Sequence, residues 1–526
     1  MVEHKLSPEP AVGIMEILAP LGELKLERPV PLRRTYFDTF DWRLHRAGCV
    51  LAVEQAAPGK TEACRRGLAD NRLLGHAATP LAAPMPRFVR EFPPGPLRRD
   101  LEPIVEMRAL LPVARARLSV QRAALLDAQG KTVLRLAVEH GWAGTGDGRC
   151  DRVLPARVLL DPVKGYGKAL RRAQALLEAE LKLPPTGQLL GDVLAAIGRE
   201  AEDYAVRPTA ELHPGLPAGE AVRRILLILL EMMQRNIEGV RAATDTEFLH
   251  DFRIAVRRTR SLFGLLKSVF PPPVLDRFRP DFKWLGEITG PMRDLDVYLL
   301  KLPEYRELLP GEMRDDLQPL QAYLERRREA VQRELVRQLR SARLRKLSED
   351  WRGFLATEFN PADWPAEASL PADEVARRRT WKAYRRLIRD GRAITPGSPA
   401  TALHRLRIDC KKFRYLVEFF QPLYPPGQLR GTIRALKALQ DNLGDFQDFE
   451  VQADALKRFA REMETQKAGL PAATFMAMGV LIDSLYKRQV GARKDFAALF
   501  KRFARPKNQA RCRALFHPGG RKAAAT

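Results

Sequence analysis

Two twelve-residue stretches carry the side chains best suited to chemistry. Leu249 to Arg260 reads L-H-D-F-R-I-A-V-R-R-T-R and Leu403 to Arg414 reads L-H-R-L-R-I-D-C-K-K-F-R, so both fit H-x-x-R-x-x-x-(R/K)-x-x-R. At about 100° per residue, positions 0, 3, 7 and 10 of that pattern share one stripe of a helix. His250, Arg253, Arg257 and Arg260 then project together, as do His404, Arg407, Lys411 and Arg414. Phe252, Val256, Thr259, Phe263, Leu266 and Phe270 form the apolar back of the first helix, and Leu406, Cys410, Phe413, Val417 and Phe420 that of the second. Such a stripe suits a polyanion: arginine donates a planar fork to phosphate, lysine adds a point charge, and histidine adds a donor that strengthens on protonation. Metal binding is a poor fit, because the arginines repel cations and no H-x-x-x-H or carboxylate partner accompanies the histidines.

A single basic stripe is usually a solvated helix face. Two in matching register argue otherwise, and the matching extends further. A constant offset of 154 residues relates His250 to His404 and also maps Arg235 onto Arg389, Pro271-Pro272 onto Pro425-Pro426, Leu285 onto Leu439, Gly290 onto Gly444 and Asp294 onto Asp448. A fixed long period means a doubled supersecondary unit, whose halves are expected to pack about a pseudo-two-fold axis with the basic stripes facing. Asp294, Asp296 and Asp448 are read as caps or as ion-pair partners of the stripes rather than as metal ligands.

The chain of 526 residues is long for one core, and its charge is uneven. Lys plus Arg number 89 against 64 Asp plus Glu, a net +25; residues 1–210 hold +6 of this and residues 211–526 hold +19. A field of that size recruits nucleic acid, anionic lipid or inorganic phosphate polymers. Five scattered cysteines without C-x-x-C spacing fit a reducing, cytoplasmic setting. The N-terminus lacks a signal-peptide pattern, and the longest apolar run, Ile225 to Leu230, is too short to span a bilayer, so no membrane insertion is expected.

Residues 1 to about 140 alternate short β-like runs (Arg34 to Asp38, Cys49 to Val53, Val133 to Val138) with Pro and Gly punctuation. Helical patterns follow at Tyr166 to Lys182 and Gly187 to Ile197, giving an α+β domain with antiparallel strands. Thr35-Tyr36-Phe37-Asp38-Thr39-Phe40-Asp41-Trp42, with Asp161-Pro162-Val163-Lys164-Gly165-Tyr166 further on, resembles the CYTH family, which implies a tunnel of antiparallel strands. That family's enzymes open with E-x-E-x-K, whose carboxylates hold a metal and whose lysine meets triphosphate. The matching positions here are Met1, Glu3 and Lys5, so one carboxylate is absent. Alternating arginines of the family are replaced by Leu51-Ala52-Val53-Glu54-Gln55, and a later E-x-E pair by Val158-Leu159-Leu160-Asp161. Metal-assisted phosphate chemistry wants two or more oxygen ligands, so this domain, taken as residues 1–202, is expected to be a degenerate, non-catalytic relative. Arg115, Arg117 and Arg122 are read as solvated strand-edge charges.

Residues 203–219 hold three prolines and two glycines and read as the linker. From residue 220 to 505 the pattern is helical, with helices expected over Ala221 to Val240, Val274 to Ile288, Arg293 to Leu302, Asp315 to about Leu355, Leu429 to Leu443, Asp448 to Glu464 and Thr474 to Arg505 besides the two stripe helices. Residues 506–526 are expected to be a disordered basic tail. The paired histidine-led helices, with Gly-Pro-Met-Arg-Asp-Leu-Asp at Gly290 to Asp296 and Gly-Asp-Phe-Gln-Asp-Phe-Glu at Gly444 to Glu450, resemble the CHAD family across about residues 216 to 505. The resemblance implies an all-α domain of two four-helix halves around a basic cavity that binds inorganic polyphosphate, and association with polyphosphate granules. Carried over by position, the phosphate-binding residues are His250, Arg253, Arg257, Arg260, His404, Arg407, Lys411 and Arg414, with Arg235 and Arg389 on the preceding helices.

The expectation is a polyphosphate-binding protein with no cofactor and no catalytic residue. Two alternatives stand beside it. A metal-dependent triphosphatase in the front domain would have to use Glu3, Lys5 and Asp161. A nucleic-acid binder would use the +19 half, although few aromatics interleave with the stripes to stack bases.

Overall fold

The computed structural model describes residues 2–5, 12–57, 60–69, 73–77, 85–145, 149–181, 189–206, 208–425, 427–466 and 470–518. Contacts divide the chain into two compact units, Met1–Val206 and Arg207–Thr526. Among the described residues no helix is long and apolar enough to cross a membrane.

The first unit runs β1 (Val2–Lys5), α1 (Val12–Leu18), β2 (Glu23–Leu26), β3 (Val30–Asp38), α2 (Arg43–Arg46), β4 (Cys49–Ala57), β5 (Lys60–Gly67), β6 (Leu73–Ala77), α3 (Pro96–Val105), β7 (Leu111–Leu126), β8 (Thr132–Gly144), β9 (Cys150–Pro162), α4 (Gly167–Leu181) and α5 (Leu189–Ala196). The strands form one curled antiparallel sheet in the order β1-β9-β8-β7-β3-β4-β5-β6, with β2 on the far end of β7. Period-two burial along β3 turns Leu32, Arg34, Tyr36 and Asp38 to one side. One apolar layer joins Leu125, Leu134, Val158 and Leu160 to Leu177 of α4; another joins Val113, Leu118 and Leu154 to Leu190 and Val193 of α5.

The Tyr36-Phe37-Asp38-Thr39 motif serves the chain turn. The buried Asp38 carboxylate accepts from the backbone N–H of Thr39, Leu44 and His45 at 2.7 to 2.9 Å and so caps α2. β7 is paired on both sides, with β3 and β8, so Arg115, Arg117 and Arg122 are not edge charges as their sequence setting suggests. Arg117 instead lies over the ring of its cross-strand neighbour Trp142.

The second unit is helical: α6 (Ala218–Arg241), α7 (Thr246–Leu265), α8 (Pro272–Glu307), α9 (Gln318–Leu339), α10 (Ala342–Ala356), α11 (Ala372–Arg392), α12 (Ala400–Phe419), α13 (Arg430–Gln466), α14 (Ala472–Phe503) and α15 (Pro506–Phe516). The 154-residue offset maps both ends of α7 onto those of α12, and the first residue of α9 onto that of α14. α8, α9, α13 and α14 meet in one apolar core containing Leu302, Leu320, Leu456 and Leu481.

Three expectations are corrected here. α8, which also contains Pro280, continues through Pro291 and Pro303, and α13 through Gly444, where breaks are expected. Each proline removes one helical N–H, a loss that burial of Leu285, Thr289, Met292 and Leu295 along the same helix outweighs. The expected run from Asp315 to about Leu355 is divided instead: Ser341 leaves helical geometry and its hydroxyl caps α10 by accepting from Leu344 N. Residues 506–516 are no disordered tail. They form α15, which sinks Cys512 and Phe516 completely and sets the Phe516 ring 5.8 Å from Phe413 and 5.3 Å from Tyr424. α15 packs on α11 and α13 as α10 packs on α6 and α8, so each half has a fifth helix beyond the four expected. Residues 519–526 lie outside the described residues.

Candidate functional site

α7 begins at Asp245, whose carboxylate accepts from Glu247 N at 2.9 Å and Phe248 N at 3.2 Å. Its back is buried through Phe252, Val256, Leu262 and Phe263, and that of α12 through Leu406, Cys410, Phe413 and Val417. With both backs held, the stripes have one direction left. α7 and α12 pack together, and between them lies an open cleft of about 710 Å³. Arg257 and Arg260 line it from α7, and Lys411 and Lys412 from α12, together with Ile408 and Tyr415 of α12.

The stripe residues fall into two groups. Several are tethered: Arg253 Nη1 donates to Thr289 Oγ1 at 2.7 Å and to Gly286 O at 3.1 Å, Arg407 to Asp448 Oδ1 at 3.1 Å, and Arg414 to Gln440 Oε1 at 3.2 Å while pairing with Glu418 at 2.8 Å. His404 Nδ1 lies 2.8 Å from Gln447 Oε1. His250 is half-buried on α7. Among the described residues Arg257, Arg260 and Lys411 have no ion-pair or side-chain hydrogen-bond partner, and all three line the cleft. Burial, together with Arg407 and Arg257 beside it, pushes the Lys411 ammonium down to about 8, with Asp448 acting against the shift. Arg253 is lowered by burial too, opposed by Asp294.

Arg235 sits 3.8 Å from Glu231 on its own helix, and Arg389 is exposed and paired with Asp390 at 2.7 Å; neither lines the cleft. Asp448 meets a stripe arginine as the sequence suggests, whereas Asp296 pairs with Arg328 of the Arg-rich helix α9. Lys412 and Tyr415 were not singled out, although each is one position from a stripe residue. Gly286 was missed as well: a Cβ there would meet Arg260 Nη1 at 2.4 Å, so the bare backbone makes room for that guanidinium to lie across α8. A glycine one helical turn before Gly290 was the available signal.

In the first unit, Arg34 on the concave side of the sheet donates to Glu54 at 2.8 Å and in a fork to Glu139 at 2.8 and 2.9 Å. One guanidinium thus engages both carboxylates. Asp161 is exposed, and β1 sets Glu3 opposite Leu159 in register, its side chain outside the described residues. Among the described residues no three His, Cys, Asp or Glu side chains are grouped to hold a metal ion. The residues described do not fit a catalytic divalent ion.

Residues 224–457 match the CHAD domain family. Among solved structures, the CHAD domain from the plant Ricinus communis is 28% identical, with 56% of this chain and 95% of that chain covered and a TM-score of 0.46. PptA from Streptomyces chartreusis is 18% identical over 54% of this chain and 99% of that one, at 0.44. A proposed adenylate cyclase from Bacillus halodurans matches the N-terminal region, 16% identical over 36% of this chain and 94% of that one, at 0.26. No curated protein matches.

Proposed function

Residues 224–457 are a CHAD domain, a family associated with polyphosphate, and on that premise we propose that this chain binds inorganic polyphosphate in the cleft between α7 and α12 without transforming it. The observation that carries the reading is the set of uncompensated cations, Arg257, Arg260 and Lys411, contributed by both halves to one open cleft. Polyphosphate has neither base nor sugar to read, so a complementary surface needs density of charge, and arginine forks supply it. The tethered residues Arg253, Arg407 and Arg414 extend the positive field along the walls. Association with polyphosphate granules belongs to the same proposal.

Binding of this kind weakens steeply with salt through counterion release. The test is binding of labelled polyphosphate to the full chain, competed by single-stranded DNA of equal charge, for wild type and Arg257→Ala/Lys411→Ala. Tight binding that DNA displaces poorly and the variant loses is the expected result. Equal displacement by DNA, or an unaffected variant, would reduce the stripes to a generic cationic surface.

A second reading, nucleic acid, is favoured by a separate hollow. On α11 and α15, Trp381 stacks on Tyr384 with ring centroids 5.7 Å apart, and Arg385, Arg513 and His517 surround them. That combination suits a base and its phosphate, and the DNA arm of the same competition tests it.

A further inference from the structure

The concave side of the first unit's sheet holds a cavity of about 350 Å³ that polyphosphate binding does not use. Its walls are apolar, from Leu32, Val50, Val120, Leu136 and Leu190, all of them buried. Its polar inner end consists of Arg34, Glu54, Glu139 and Tyr36. Two carboxylates there share one guanidinium, which leaves one formal negative charge in a largely dry place. Arg34 takes both oxygens of Glu139 but only Oε1 of Glu54. Tyr36 is 3% exposed, and its hydroxyl, beside the Arg34 guanidinium, completes no well-formed hydrogen bond among the described residues. Buried hydroxyls are rarely left so unless a ligand or water completes them.

We propose that this cavity binds a small organic ammonium ion, its N–H groups on the free oxygen of Glu54 and on the Tyr36 hydroxyl and its hydrocarbon body against the apolar walls. A triphosphate is the wrong ligand for the same site. It would bring several negative charges against an inner end already in negative excess, with the one guanidinium there spent on two carboxylates. The mouth does not bar a cation, since Arg66, Arg122 and Arg135 are partly balanced by Glu27 and Asp161. The volume lies at the small end of ligand pockets, right for an amine carrying one ring or a short alkyl chain.

The test is calorimetric titration of the full chain with phenethylammonium chloride, with hexanoate as the control of opposite charge. Saturable one-to-one binding is expected, weakened about tenfold by Glu54→Gln and severalfold by Tyr36→Phe, and unchanged by Arg257→Ala/Lys411→Ala in the second unit. Tyr36→Phe keeps every charge in place, so it remains informative if Glu54→Gln disturbs the sheet. No saturable binding up to about 10 mM, or hexanoate binding as tightly, overturns the proposal. So does tripolyphosphate binding that survives Arg257→Ala/Lys411→Ala and is lost on Arg122→Ala/Arg135→Ala. None of these outcomes depends on whether the helical unit takes polyphosphate.

Discussion

Pro217 and Pro371 face each other in an antiparallel bridge, with Ala218 N donating to Leu370 O at 2.9 Å and Ala372 N to Leu216 O at 2.7 Å. Each residue here meets the counterpart, 154 positions away, of its partner in the reciprocal bond. Only a two-fold relation between the halves gives that reciprocity. The bridge lies at the first turns of α6 and α11, which lead to α7 and α12, and the equivalent residues Arg257 and Lys411 then line one cleft. Duplication thus brings cations of both halves to one cleft instead of making two clefts.

The departure from symmetry at that pair sets a pH dependence. Lys411 stands where the first half has an arginine, and burial with its cationic neighbours brings it down to about 8. A bound polyanion favours the protonated ammonium, so binding takes up a proton near this pH. Affinity is full below about 8 and falls as pH rises beyond it. Lys411→Arg, which stays protonated, removes the fall. Dissociation constants at pH 7, 8 and 9 and constant ionic strength measure this, and an equal slope in Lys411→Arg would sink it. In the ligand-free protein the sign reverses: the unfolded chain holds this proton to higher pH than the folded one, so stability gains from Lys411 as pH rises from about 8 towards the ordinary lysine value.

Gly286→Ala separates the site from the fold. Alanine favours a helix interior over glycine by about 1 kcal/mol, and the atom its Cβ would strike is the mobile end of Arg260. Melting temperature is expected to hold or rise while polyphosphate affinity drops severalfold, because Arg260 must leave its position across α8. A drop in both, or in neither, would show that Gly286 does not place that guanidinium.

The stripes were legible because a period of 3.6 residues is local and occurs twice. The antiparallel sheet was legible from alternation, as along Leu32, Arg34 and Tyr36. What escaped depends on partners distant in sequence. Arg34 lies 105 residues from Glu139, and no pattern near either announces the fork between them. Pro291 and Gly444 read as breaks because local propensity cannot register the core that α8 and α13 share. α15 read as tail because Cys512 and Phe516 are its only fully buried apolar residues, set among Lys507, Arg511 and Arg513.

Asp448 restrains the cleft, holding Arg407 at 3.1 Å and adding negative charge beside Lys411. Asp448→Asn is expected to tighten polyphosphate binding by about 0.5 to 1 kcal/mol, the usual scale of a half-exposed pair, and to steepen the salt dependence. The same change lowers Lys411 further, since the carboxylate is what opposes its shift. The gain should therefore be larger at pH 7 than at pH 9. Weaker binding in this variant would mean that Asp448 positions Arg407 productively rather than competing with the ligand.

α15 is a structural part of the second half, which a single substitution can decide. Phe516 is fully buried against Phe413 and Tyr424, so Phe516→Ala removes a core ring and should cost about 3 to 5 kcal/mol. Arg513, exposed on the same helix, provides the control, with Arg513→Ala expected within about 0.5 kcal/mol of wild type. Urea unfolding of the full chain followed by helical circular dichroism reads both. The helical transition should move to lower denaturant in Phe516→Ala alone, because the lost ring opens a cavity where α11, α12 and α15 meet. Were residues 506–516 a solvated basic tail, both substitutions would be silent, and α12 would take no support from beyond α14.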